Sequence, residues 1–463
     1  MQSNWLVEIM KRAQSGPFIK EKDFELKLIK RIKELVKEYD IKYDANDLVP
    51  ADDDMADRVY QAGLQLFVEF GAYCQSTERQ ILFTHDEVVD IVAQAPSEVI
   101  LGMGKDAVVM RHRGVEDPVR PIVHSGPTGL PASEEFHPQI LLSYAQEPLV
   151  DCLGAGSVAT YMGEGIIPGT PLELLGARRD ASVAREAVRM AGRPGMHIND
   201  VAVPLTCSGK MAAFDPDAGL RSCDGILVSQ MVELKTDYDQ LSRVAHLYNV
   251  GGITVDLMTP LIGGLGGRAE GTAVVSVADH LLGVVLYDAD YHMFSLTHLT
   301  YVNNTDPLGI WIQAMVGQAL SRNTPIILLN DIYVVSGAGT KELLYECAAG
   351  AVVGTVCGFN MQGAGTTGGF NRDHFSGLET RFIAEVSRAS LSLTRQEASK
   401  LIPKIMKFYE DTLSEPNRGR PFNEVYDVDT VQPTAEWLDM YYSVKEDMSK
   451  LGLKFEYAPR PKA

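Results

Sequence analysis

Asp288, Asp290 and His292, in the run VVLYDADYH, stand two residues apart. On an extended strand all three would point to one face. Two carboxylates with an imidazole make a donor set for a divalent metal such as zinc, and His298 follows nearby. The same spacing also suits a strand-end hydrogen-bond network with no ion. Other polar residues close apolar runs in the same way. They are His197, Asn199 and Asp200 after GRPGM, Asp256 in GITVDLMTP, and Asn330, Asp331 and Tyr333 in PIILLNDIY. Acids, an imidazole and a phenol at strand ends can give or take protons. Leu257, Met258, Met293 and Phe294 stand beside them and would form an apolar slot with a few polar anchors.

Several chemistries lack their motif. No G-x-S-x-G places a nucleophilic serine, and no G-x-x-x-x-G-K-[ST] cradles a phosphate. The cysteines at 74, 152, 207, 223, 347 and 357 show no C-x-x-C spacing, so free thiols in a reducing compartment are expected. With 42 Lys and Arg against 61 Asp and Glu, the net charge of −19 argues against nucleic acid as a partner. The N-terminal MQSNWLVEIMKRAQSG has no signal-peptide core. The uncharged run from Cys347 to Asn371 reads as a buried strand followed by a glycine-rich loop rather than a membrane span. A cytoplasmic protein is expected, with no membrane partner.

The chemistry-bearing residues need a scaffold, and 463 residues can bury a large core. Up to about residue 75 the chain reads as helical, through EKDFELKLIKRIKELVKEYD and a second helix over 52–73. Thr84 and Glu87 have the spacing of a capping box. Between 97 and 131, EVILGMG, AVVMRHR and PIVHSGP predict a hairpin or small sheet. Strand-like DCLGAG, MHINDVA, GITVDLM, VVLYDAD, PIILLND and AVVGTVC then alternate with helical stretches such as DASVAREAVRMAG and PLGIWIQAMVGQALS. That rhythm favours an α/β fold, a (β/α)8 TIM barrel over 141–390. Residues 1–140 would form an N-terminal helical and β extension, and 391–463 a C-terminal helical one. A doubly wound sheet is the rival, but no G-x-G-x-x-G follows an early strand. Glycines at 251–252, 263–264, 266–267, 337, 339, 363, 365, 368 and 369 would either line a docking mouth or make tight turns.

Longer segments carry a resemblance. GKDAVVMRHRGVEDPVRPIVHSGPTGLPASEE, AGRPGM at 191–196, VDLMTPLIGGLGG at 255–267, GLETRFIAEVSRA at 377–389 and FNEVYDVDTVQPT at 422–434 resemble the monomethylamine:corrinoid methyltransferases of methylotrophic methanogens. The resemblance covers nearly the whole chain. It implies a TIM barrel, a homo-oligomer, and methyl transfer to the Co(I) corrinoid of a separate corrinoid protein docked at the barrel mouth. In the archaeal amine enzymes a pyrrolysine stands at the strand end after GRPGM, and that position is Asn199 here. The family's neighbouring acidic residue falls at Leu257, while Asp256 still matches.

With both groups replaced and apolar side chains alongside, the expected donor is a methoxylated aromatic, demethylated at oxygen. The alternative is a methylated amine handled without pyrrolysine. On the first reading Asp331, His197 or Tyr333 would protonate or hydrogen-bond the leaving oxygen. Asn199 would orient a ring substituent, and Asp256 would anchor or support. A metal at Asp290 and His292 would act as a Lewis acid. A barrel kept only as a scaffold for corrinoid proteins, and a metal-dependent hydrolase or lyase, are the rivals from other classes.

Overall fold

A computed structural model of the chain describes residues 3–126, 129–200 and 206–456. Eight parallel strands close into a barrel: β1 (Val123–Ser125), β2 (Cys152–Gly154), β3 (His197–Asn199), β4 (Gly225–Ser229), β5 (Ile253–Met258), β6 (Tyr291–Phe294), β7 (Leu328–Tyr333) and β8 (Asn360–Gly365). Each is followed by a barrel helix: α1 (His137–Ala145), α2 (Pro171–Met190), α3 (Cys207–Ala213), α4 (Tyr238–Val250), α5 (Ala269–Tyr287), α6 (Pro307–Asn323), α7 (Lys341–Val356) and α8 (Gly377–Ala389). The ring closes where Met361 of β8 pairs with Val123 of β1. The expected (β/α)8 barrel is therefore the fold.

Two expected strands are helical. VVLYDAD belongs mostly to the end of α5, and AVVGTVC to the end of α7. Both helices are buried almost all round, so their sequences lack the amphipathic stripe that separates helix from buried strand. The strands that follow them, YHMF and NMQGAG, take over the expected places. The uncharged run from Cys347 to Asn371 is thus helix first, then strand β8.

PIVHSGP supplies β1, so the barrel begins before residue 141, where the sequence rhythm places its start. The hairpin Glu98–Leu101 with Val108–Arg111 plugs the N-terminal end of the barrel. Its Leu101 and Met110 pack with Ile122, Ile253 and Ile327 below the lumen.

Two N-terminal helices, Glu21–Glu38 and Asp53–Phe70, lie over α5. Gly63 lets one of them approach closely, because a Cβ there would strike Val277. Trp5 donates its indole N–H to the Val285 carbonyl at 2.8 Å. This cover explains why α5 is long and apolar enough to cross a membrane and yet has 94% of its apolar window buried. The Thr84–Glu87 capping box forms with both reciprocal bonds. C-terminal helices Arg395–Met406 and Ala435–Lys450 pack on α7.

Candidate active site

Alternation along the strands sorts the polar residues into two populations. Asp331, Gln362, His124, Cys152 and His197 pair in register across β7, β8, β1, β2 and β3. They face the lumen with Tyr291, Met293 and Leu257.

His197 sits deep. Its Nδ1 lies 2.8 Å from the Cys223 carbonyl and donates to it. That tautomer leaves Nε2 to accept from the Tyr291 hydroxyl at 3.3 Å. Burial lowers the imidazole pKa, so the ring is neutral and both nitrogens are occupied. His197 therefore holds Tyr291 rather than offering a proton to a leaving group.

His124, which the sequence reading missed, stands 5.6 Å from the His197 ring and 5.5 Å from Tyr291. Asn199 lies on β3 two residues beyond His197. A Cβ added at Gly225 would lie 2.8 Å from Val255 Cγ2 and 3.2 Å from both the Asn199 Oδ1 and the Tyr291 hydroxyl, so the packing there admits only glycine. Both His124 and Asn199 are fully buried. Among the described residues, they alone have two side-chain polar atoms buried without a hydrogen-bond partner.

Asp331 ends the polar row near the C-terminal mouth. Its Oδ2 accepts from the Ser295 hydroxyl at 2.8 Å, while its Oδ1 has no partner. Burial pushes the carboxyl up to about 7, partly offset by the Ser295 bond. Tyr333 follows on the same face, and burial together with the Asp331 charge raises its phenol. A Cβ on Gly365 would meet the Tyr333 ring at 2.6 Å and the Asp331 Oδ1 at 3.2 Å, so this close approach requires glycine.

The remaining expected site residues lie elsewhere. Asp256, Met258, His292 and Phe294 face outward, between strands and helices. Asp256 accepts from Gln230 Nε2 at 2.9 Å on both oxygens and pairs with His292 Nδ1 at 3.0 Å. Burial raises the acid and lowers the imidazole to about 3, so the pair is neutral, with the carboxyl O–H donating to Nδ1. Gly283 of α5 makes room, since a Cβ there would collide with the carboxyl. Asp256 is thus a structural group behind the barrel.

The expected metal triad does not assemble. Asp288 terminates α5 in the left-handed conformation and accepts from the Tyr248 hydroxyl at 3.0 Å. Asp290 accepts from the Thr254 amide at 2.8 Å. Both lie at the N-terminal side of the barrel and line an outer cavity of about 440 Å³, away from the mouth. Only His292 is on a strand, because VVLY is helix. No group of three or more His, Cys, Asp and Glu among the described residues could hold a metal.

The glycine-rich loops also divide. Cβ atoms at Gly337, Gly368 and Gly369 would strike Arg418 or His374, so these glycines serve packing within the chain. Loops after β2, β6 and β8 instead present exposed apolar side chains at the C-terminal face: Met162 (82% exposed), Ile167 (64%), Leu299 (53%) and Phe370 (49%).

Comparison with known proteins fixes the family. The model of the monomethylamine methyltransferase MtmB family matches residues 5–453. The chain belongs to the MtmB family. A monomethylamine methyltransferase MtmB2 of Methanosarcina acetivorans is 33% identical over 446 residues, 96% of this chain and 97% of that one. MtmB1 of Methanosarcina barkeri is 32% identical over the same span. The crystal structure of the M. barkeri MtmB superposes with a TM-score of 0.94 at 32% identity, over 97% of this chain and 98% of that one. A crystal structure described as a hydroxylamine MtmB complex matches equally well. MtmB proteins are corrinoid-dependent methyltransferases, and this chain is a methyltransferase of that class.

Proposed function

We propose that the enzyme takes a methyl group from an N-methylated amine, held as its cation at Asp331, and passes it to the corrinoid of a separate corrinoid protein. One observation carries the reading: a fully buried carboxyl at a barrel strand end with one oxygen unpartnered. An alkylammonium has N–H donors and a positive charge, and it returns the ionised form to a carboxyl that burial holds near 7. The names of the MtmB relatives point the same way.

The methoxylated aromatic expected from the sequence has no such support. The relatives are named for monomethylamine. Two of the four residues meant to line an aromatic slot, Met258 and Phe294, face away from the lumen.

The chain's own groups define the steps. Asp331 binds and orients the ammonium, with Ser295 fixing one carboxylate oxygen. The Tyr333 ring packs close to Asp331 Oδ1 across Gly365 and restricts the approach. Met293 and Leu257 supply the apolar wall against which a methyl group can rest. The N–CH3 bond breaks with its electron pair staying on nitrogen, so a neutral amine leaves. The corrinoid supplies a Co(I) nucleophile as methyl acceptor. The exposed Met162, Ile167, Leu299 and Phe370 around the mouth suit the docking of the protein that carries it.

The test is methyl transfer to a Co(I) corrinoid protein, followed by the cobalt absorption spectrum, with methylamine, larger N-methylamines and 2-methoxyphenol as donors. Demethylation of an N-methyl donor and none of 2-methoxyphenol is expected. The reverse pattern would overturn the reading.

A further inference from the structure

We infer that the donor is not methylamine itself but an N-methyl amino acid zwitterion, whose carboxylate is received by His124 and Asn199. The inference rests on the amine reading above and deepens it.

Buried donors and acceptors in the lumen must find partners in the ligand. Methylammonium carries three N–H donors and no acceptor. Asp331 Oδ1 can take one of those donors. His124 and Asn199 pose a different demand. A neutral imidazole has one N–H and one bare nitrogen, and an amide has an NH2 and a carbonyl. All four of these atoms are buried and unpartnered. The two donor groups need an acceptor, which methylammonium cannot provide. Leaving a buried donor unpaired costs about 1–3 kcal/mol, so two such groups in one lumen point to a ligand that pairs them.

The charge pattern selects the acceptor. Burial and the neighbouring His197 hold the His124 imidazole well below its ordinary pKa, so the ring is neutral. A lumen with a neutral imidazole, a neutral amide and one titrating acid suits a ligand that brings its own counter-charge. In an N-methyl amino acid the ammonium faces Asp331 and the carboxylate faces the His124 N–H and the Asn199 NH2. Methyl transfer from N-methylglycine would break its N–CH3 bond, keep the pair on nitrogen and release glycinate, which takes up a proton from water to become glycine, with Co(I) as the methyl acceptor.

The experiment is calorimetric binding to the full-length protein of N-methylglycine, methylamine and N-methylpropylamine, the last close to the first in size and without a carboxylate. N-methylglycine is expected to bind at least about tenfold tighter than N-methylpropylamine, one good charge-assisted contact being enough for that ratio. His124→Leu and Asn199→Ala should each remove most of that advantage while leaving methylamine affinity within about twofold. Asn199→Ala removes atoms without adding bulk, which guards against a folding defect in His124→Leu. Equal affinity for the two larger amines, or an advantage that survives both variants, would overturn the inference and leave only water on these groups. If methylamine is demethylated and N-methylglycine does not bind, the inference fails and the amine reading stands. If none of the three amines binds, both fail.

Discussion

Asp256 and Asp331 are the same residue type at comparable depth, both fully buried and both raised in pKa by desolvation. Asp256 turns outward from β5, where Gln230 and His292 occupy both of its oxygens. Asp331 turns inward from β7, where a single serine reaches one oxygen and the other is unpartnered. The layer behind the barrel also holds the buried Asp200–Lys210 ion pair and the Asn330–Gln313 bond at 2.8 Å. A buried polar group with built-in partners is architecture. A buried polar group facing the lumen without them is a place for a ligand.

Perturbation of each layer should therefore give opposite signatures. The largest effect is expected from Lys210→Met, which strands the Asp200 carboxylate without its cation. Breaking a buried pair in this way costs about 3–5 kcal/mol, read as a large fall in the denaturant midpoint. A change near zero would mean that the outward layer is not held by this pair. Asp256→Asn comes next. It turns an acceptor toward Gln230 into a donor and should cost about 1–3 kcal/mol. Turnover per folded molecule should be unchanged, and a matching loss of turnover would erase the distinction between the layers.

Asp331→Asn should behave in the opposite sense. The folded carboxyl holds its proton to about pH 7, whereas the unfolded one loses it near the ordinary value of 3.8. Between those values the folded state binds more protons, so the acid costs stability as pH rises, fully so above 7. Denaturant unfolding should show the Asn variant more stable than wild type at pH 8, and little changed near pH 4. For binding, a cationic amine needs the ionised acid, so wild-type affinity should rise as pH goes from 6 to 8. A flat profile would remove Asp331 as the anchor. The smallest effect is expected from Ser295→Ala. Losing the hydroxyl that lowers the Asp331 pKa should move that binding profile to higher pH and weaken binding at pH 7 by roughly threefold.

The sequence made much of this legible and hid the part that decides the site. The βα rhythm, the N-terminal helices and the Thr84 capping box follow from local chemistry, and Asp331, Tyr333 and Asn199 stand at strand ends where they were expected. Which way a side chain points depends on strand register. That register failed at VVLYDADYH, because a helix buried on all sides looks like a buried strand. The metal triad dissolved with it: Asp288 and Asp290 precede the strand and only His292 is on it. Met258 and Phe294 were placed in the lumen beside Leu257 and Met293, although neighbours on a strand face opposite ways. His124 was missed because its strand has three residues, too few for alternation to show. The signal that could have found it is the strand count, since a closed eight-stranded barrel needs a first strand before DCLGAG and PIVHSGP is the β-rich run available.

The most direct test compares kcat/KM for methyl transfer to a Co(I) corrinoid protein in wild type, Asp331→Asn and Asp256→Asn, using the better N-methyl donor at pH 8. The lumen account predicts a loss of roughly 100-fold or more in Asp331→Asn, equivalent to about 2.7 kcal/mol of lost stabilisation. It predicts a rate near wild type per folded molecule in Asp256→Asn. Full activity in Asp331→Asn, with the loss appearing in Asp256→Asn instead, would contradict it.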